Sequence, residues 1–119
     1  MRSVDFEDFL ESEVFDEGGQ LIGILECFWT DEDDQAEFLG IKRQVLPDQI
    51  SVAPARIATT DERHSCIRIQ APANRVADAP ALDCDEDLEQ RVEEQVYIHF
   101  RLSAPAKRHE LHVTRARSD

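Results

Sequence analysis

The feature that most limits what this chain can become is a ten-residue segment rich in Leu, Ile, Phe and Trp, Leu21–Thr30, set between two acidic turn sequences. Before it stands Asp16-Glu17-Gly18-Gly19, and after it Asp31-Glu32-Asp33-Asp34. Acidic residues with glycine between apolar runs mark chain reversals. The segment is therefore one strand entered and left through tight turns, and its strongly apolar part, Leu21–Leu25, is far too short to span a bilayer. Gly23 inside it points to a bulge or a close backbone approach. Ala36–Arg43 reads as the returning strand of a hairpin, with Gly40 as a second weak point.

The rest of the first half continues in short segments. Phe6, Phe9 and Leu10 have the spacing of one helical turn laid on a core. Val45-Leu46-Pro47 opens an extended stretch reaching Ile50 and Val52. Residues 56–60 and 65–70 read as two strands around the turn Asp61-Glu62-Arg63-His64. In the second of them Cys66, Arg68 and Gln70 alternate with Ile67 and Ile69, the period of a half-buried strand.

The texture changes after Gln70. Residues 71–82 are rich in Ala and Pro, which argues against a long helix or a sheet strand. They are expected to wrap the surface and pin Val76 and Leu82 into the core. A helix follows, with Asp87 as N-cap and Gln90 three residues on, a capping-box-like pair. Leu88, Val92, Val96 and Phe100 recur every fourth residue, and Tyr97 widens the stripe, which reads as a core-facing helix. Residues 103–106 read as a linker, and residues 109–116 as a final strand that adds to a sheet edge of the same chain or of another.

Charge separates these parts. The whole chain of 119 residues carries a formal charge of -13, but residues 1–100 hold 24 acidic and 8 basic residues, while residues 101–119 hold 5 basic and 2 acidic. An acidic body of net charge -16 is followed by a tail of +3. Such a body repels phosphate backbones, since nucleic-acid affinity rests on Lys and Arg displacing counterions. Anionic membranes are disfavoured on the same ground. The tail either folds back on its own domain or reaches the acidic face of a neighbouring subunit. Three cysteines, Cys27, Cys66 and Cys84, fit no CxxC spacing and make an odd count. That argues against a disulfide framework or a zinc ribbon and suits a reducing compartment. The N-terminus lacks the basic-then-apolar signature of a signal peptide, and the expected location is cytoplasmic.

Four constellations invite a chemical reading. Asp31-Glu32-Asp33-Asp34 resembles a cation loop, but the sixth position from Asp31 is Ala36, where an EF-hand requires glycine. A solvated acidic turn is the expectation. His109-Glu110-Leu111-His112 is one residue short of HExxH, so its imidazoles do not share a helix face. His64 and Cys66 lie two apart on a strand and face the same side, with no third orienting group evident. His99 sits near a helix C-terminus, where an imidazolium is favoured. No catalytic, cofactor-binding or metal-ligating residue is assigned, and no cofactor is expected.

The order of these elements resembles the PRC-barrel family, over residues 14–102. The pattern is carried by Asp16-Glu17-Gly18-Gly19, Leu21-Ile22-Gly23-Ile24-Leu25 and Trp29-Thr30-Asp31-Glu32-Asp33, then a Leu46-Pro47 step and two strands. Val76-Ala77-Asp78-Ala79-Pro80, Leu82-Asp83-Cys84-Asp85 and Tyr97-Ile98-His99-Phe100 complete it. Phe100-Arg101 stands where Tyr-Gly is usual, and the chain beyond Leu102 has no counterpart in the family. The resemblance implies a mainly β fold: a small, strongly bent antiparallel β-barrel with a short C-terminal helical cap, over residues 1–102. Residues 103–119 form a basic extension, an added strand or dimer arm. It also implies no enzyme activity. Family members act as interaction modules, in reaction-centre assembly, in ribosome maturation and as stand-alone bacterial proteins. The expected function is a non-catalytic interaction or scaffold module forming a homodimer, with an unidentified protein partner. The alternatives are a ribosome- or RNA-processing-associated factor, which the charge disfavours, and a small-ligand or metal sensor.

Overall fold

The computed structural model describes residues 6–43, 49–83, 88–105 and 110–115. The expected hairpin is its centre. β2 (Leu21–Thr30) and β3 (Ala36–Arg43) pair antiparallel, with register shifts between Leu25 and Cys27 and between Trp29 and Thr30. β1 (Glu13–Phe15) pairs antiparallel with the first part of β2, and β4 (Gln49–Pro54) pairs with β3. β5 (Ala58–Asp61) and β6 (Cys66–Ile69) form a second hairpin, and β6 runs parallel to β1. β7 (Ala81–Asp83) pairs with β4 and β8 (His112–Arg115) with β2. The strand path is β5-β6-β1-β2-β3-β4-β7, with β8 joining β2 beside that path.

The fold is mainly β, as expected. Four consecutive residues of β3, Phe38, Leu39, Gly40 and Ile41, are buried, as are five of β4. Successive strand residues point to opposite faces, so these strands are covered on both sides. The molecule measures 34 × 31 × 31 Å. Seven strands laid flat would be about 30 Å wide in a layer about 10 Å thick, so the sheet bends back on itself. Its ends, β5 and β7, do not pair with each other among the described residues. The described strands thus make an open, bent sheet and not the closed barrel expected from the resemblance.

Gly23 marks a close approach. A Cβ there would stand 2.9 Å from the Lys42 carbonyl carbon and 3.1 Å from Arg43 Cα, and closer still to the Lys42 oxygen. These are backbone atoms of the paired strand β3, which cannot rotate aside. The glycine read as a bulge or close approach is the latter.

The helices differ more from expectation. The 6/9/10 spacing forms a 3-10 turn, Phe6–Phe9, with both phenylalanines buried and Leu10 packed against the core. Residues 56–60 do not form one strand: a 3-10 turn, Ala55–Ile57, precedes β5 because Pro54 (φ -68°) starts it as an extended N-cap. Residues 71–82 hold only a short helix, α1 (Ala73–Ala77), in keeping with the argument against a long one, but they also open the strand β7, so the expectation of no sheet strand is corrected. Each proline sits just ahead of its element: Pro72 is the N-cap of α1, and Pro80 precedes β7 while its carbonyl accepts the Val52 N–H at 3.1 Å. No ladder donor is lost at these places. Val76 and Leu82 are buried, as expected.

α2 (Gln90–His99) starts after Glu89, which makes no side-chain cap; the expected N-cap, Asp87, lies outside the described residues, as does Val45-Leu46-Pro47. Leu88 precedes the helix but is buried with Val92, Val96, Tyr97 and Phe100. The helix closes with Leu102 N–H donating to Tyr97 O at 2.8 Å and Arg101 N–H to Ile98 O at 3.0 Å. This is a Schellman closure, and its left-handed position, ordinarily glycine, is Arg101 at φ 59°.

Two expectations follow. Gly23→Ala should destabilise the fold by roughly 1–3 kcal/mol, the usual cost of overpacking a fixed contact, measured as a lower urea midpoint. A non-glycine residue in the left-handed region costs on the order of 1 kcal/mol, partly offset by glycine's freedom in the unfolded chain. Arg101→Gly should therefore stabilise by about 0.5 kcal/mol, raising the same midpoint.

Candidate functional site

The acidic turns are built alike. Asp16 and Asp31 each begin a five-residue hairpin turn, Asp16-Glu17-Gly18-Gly19-Gln20 and Asp31-Glu32-Asp33-Asp34-Gln35. In the first, Asp16 N–H donates to Gln20 O at 2.8 Å and Gly19 N–H to Asp16 O at 3.1 Å. In the second, the equivalent bonds are Asp31 to Gln35 at 2.9 Å and Asp34 to Asp31 at 3.1 Å. Asp16 Oδ1 accepts from Gly18 and Gln20 N–H at 2.9 and 2.7 Å, and Asp31 Oδ1 from Asp33 and Gln35 N–H at 2.8 and 3.0 Å. The fourth residue is left-handed in both: Gly19 at φ 89° and Asp34 at φ 60°. Glycine and, among other residues, Asp and Asn reach that conformation most readily. The Asp31–Asp34 carboxylates considered as a cation loop thus include one whose Oδ1 holds the hairpin.

Asp16 does more than its counterpart. Only 6% exposed, it also accepts the Ala73 N–H on Oδ2 at 3.0 Å, tying the β1–β2 turn to the start of α1. The Gln20 N–H holds its carboxyl below the usual carboxylate range, against the opposing effect of burial, with Ala73 and Gly18 adding to the lowering. Backbone donors favour the charged form in this way.

The β5–β6 turn supplies a group that the sequence reading did not find. Asp61 Oδ2 lies 2.7 Å from His64 Nδ1, and Asp61 Oδ1 accepts the His64 N–H at 3.2 Å. The signal was the Asp three residues ahead of His, a common turn-capping spacing. The His64 hydrogen bond holds Asp61 below the usual carboxylate range, against desolvation. The imidazole is mostly exposed, whereas Cys66 is buried at the start of β6. The arrangement fixes a turn rather than bringing a base onto a thiol.

α2 is fastened to the sheet by a polar cluster. The Tyr97 ring packs 5.2 Å from the Phe38 ring, and the Arg56 guanidinium lies 5.3 Å over its centre. Arg56 Nη1 also donates to Ser103 O at 3.3 Å, holding the chain as it leaves α2. Burial pushes the Tyr97 phenol up to about 12, with the Glu37 carboxylate adding, Arg56 opposing, and Glu93 adding again. A phenol raised this far stays protonated at neutral pH, as a hydrogen-bond partner of Glu37. His99 Nε2 donates to Arg75 O at 2.6 Å, and Arg43 Nη1 to Ala77 O at 3.0 Å. The helix end that His99 serves is therefore that of α1, not its own.

A cleft of about 300 Å3 lies between Pro80–Leu82 and the side chains of Arg91, Val92 and Gln95, with Arg91 Nε 3.0 Å from Glu89 Oε2. Among the described residues no group of three or more His, Cys, Asp or Glu gathers as a metal site, and no helix is long and apolar enough to cross a membrane.

The tail resolves differently from the HExxH-like reading. His109 lies outside the described residues, while His112 opens β8, opposite Thr30. β8 pairs antiparallel with β2 of the same chain: Cys27↔Arg115, Phe28↔Thr114, Trp29↔Val113 and Thr30↔His112. Glu110 N–H donates to Glu32 Oε2 at 3.1 Å, and Thr30 Oγ1 to His112 O at 3.4 Å. Of the strand's four residues, only Thr114 is partly buried. The chain is thus a mainly β protein whose C-terminal extension contributes a surface strand, β8. Comparison with protein-family models and with curated proteins returns no match.

Asp16 generates a pH expectation. Its folded-state carboxyl titrates below its ordinary 3.8, so the stability it contributes is present above that value and is lost as pH falls through the folded one. Asp16→Asn keeps one acceptor but sets an amide against a backbone donor. The variant should be less stable than the natural chain at pH 7, with the gap narrowing below about pH 4, as read from urea midpoints at pH 7 and pH 3.

Proposed function

We propose that this protein is a non-catalytic interaction module of the PRC-barrel type, which self-associates through its C-terminal extension. The observation that carries the reading is β8: a strand from the basic tail that lies on the sheet surface, with three of its four residues exposed. Strands placed in this way can receive another strand through main-chain hydrogen bonds. The barrel type is supported by the order of strands and short helices and by Arg101, whose left-handed backbone falls where the family pattern places glycine. The non-catalytic part is supported by the engagement of the titratable groups: Asp16, Asp31, Asp61 and His99 each bond to the chain's own backbone.

Light scattering on the full chain and on a chain ending at Ser103 tests this. The full chain should be a dimer and the shortened chain should not; circular dichroism and a urea midpoint should show the shortened chain folded but less stable, since the end of the β2 edge is left unfilled. A full chain that stays monomeric at every concentration ends the self-association reading.

A further inference from the structure

β7 is the last strand of the sheet path, and no strand pairs with its outer edge among the described residues. Its bonds to β4 fix which groups that edge presents. Val52 N–H donates to Pro80 O at 3.1 Å, and Ile50 stands opposite Leu82. Bonded and non-bonded positions alternate along an antiparallel pair, so Pro80 and Leu82 bond inward to β4. Ala81, between them, turns its N–H and C=O outward, and it is exposed. Proteins often blunt an edge with proline, but the donor that Pro80 lacks is on the inner side of β7.

α2 supplies a second wall beside this strand. The cleft of about 300 Å3 runs between Pro80–Leu82 and Glu89, Arg91, Val92 and Gln95. Ile98 lies three residues beyond Gln95 on the same helix face and is 75% exposed. A strand edge with free main-chain groups beside a helix is a seat for an extended peptide, which adds as a strand and sets alternate side chains against the walls. Charge selects the occupant. Residues 78–95, which supply both walls, hold eight acidic residues and one basic, Arg91. Arg91 is itself engaged by Glu89 at 3.0 Å. An acidic segment is repelled here and a basic one is drawn in.

We propose that the groove between β7 and α2 binds an extended peptide segment of a partner protein, one in which basic residues alternate with apolar ones. The segment pairs with the outward N–H and C=O of Ala81, and its side chains lie along Gln95 and Ile98. The inference rests on the interaction-module reading and gives it a partner chemistry. It does not depend on self-association, because β7 lies on the far side of β4, β3 and β2 from β8.

The test titrates the full-length, isotope-labelled protein with acetyl-Lys-Val-Lys-Val-Lys-Val-amide and with its Glu-for-Lys counterpart, read through backbone amide shifts. The lysine peptide should bind and move the Ala81 amide, and the glutamate peptide should not. Ala81→Pro removes the outward donor, sets a ring in its place and leaves the β4 ladder intact, so it should weaken binding by about tenfold or more. Gln95 is exposed on the helix wall; Gln95→Lys should weaken binding and Gln95→Glu strengthen it, each by about two- to fivefold. Should Ala81→Pro lose its urea transition, the Gln95 pair decides. No binding of the lysine peptide, equal binding of both peptides, a folded Ala81→Pro variant that binds undiminished, or Gln95 variants that do not diverge overturns the groove. Any of these leaves the light-scattering test of self-association untouched.

Discussion

The structure depends on β2 having both edges filled. On one side β3 runs along most of its length; on the other, β1 takes the beginning and β8 the end, and between them Leu25 exchanges hydrogen bonds with Glu11 and Ser12. A strand carrying buried Ile22, Leu25, Cys27, Phe28 and Trp29 cannot leave its peptide groups unpaired without a desolvation cost of about 1–3 kcal/mol each. The acidic body and the basic tail are therefore not independent parts. The tail completes a ladder that the body begins.

How much of this was legible from the residues follows from range. The β2–β3 hairpin was readable because its pattern is local: two turns, two apolar runs and a glycine where the backbones meet. The α2 stripe was readable for the same reason, and its residues are buried. The parallel pairing of β1 with β6 joins Val14 to Ile67 and leaves no mark in either segment. The alanine- and proline-rich stretch misled about β7 because proline was read as excluding a sheet strand, when Pro80 stands just ahead of it. The open path from β5 to β7 was beyond a resemblance drawn from element order, since order does not say whether two ends meet.

At the candidate sites, residue types were legible and their engagements were not. The acids that resembled a cation loop were expected to form a solvated turn, and His64 was set aside for want of an orienting group; the bonds these groups make were not foreseen. What they do is bind backbone: Asp31 its own turn, Asp16 a turn and a helix start, Asp61 a turn and His64. A repeat was also in plain view, since Asp16-Glu17 and Asp31-Glu32 are each followed three residues later by glutamine. It is invisible to a search for long repeats, because its unit is a single turn.

That shared turn has a consequence for how the surface can vary. The geometry is held by the leading aspartate and the left-handed fourth residue, so the second and third positions are not bound by it. One turn fills its third and fourth positions with glycine, the other with aspartate, and both deliver the same reversal. The two ends of β2 can therefore be recoloured in charge, one at a time, while the strand between them keeps its register. Architecture and surface potential are inherited here through different letters of the same short word.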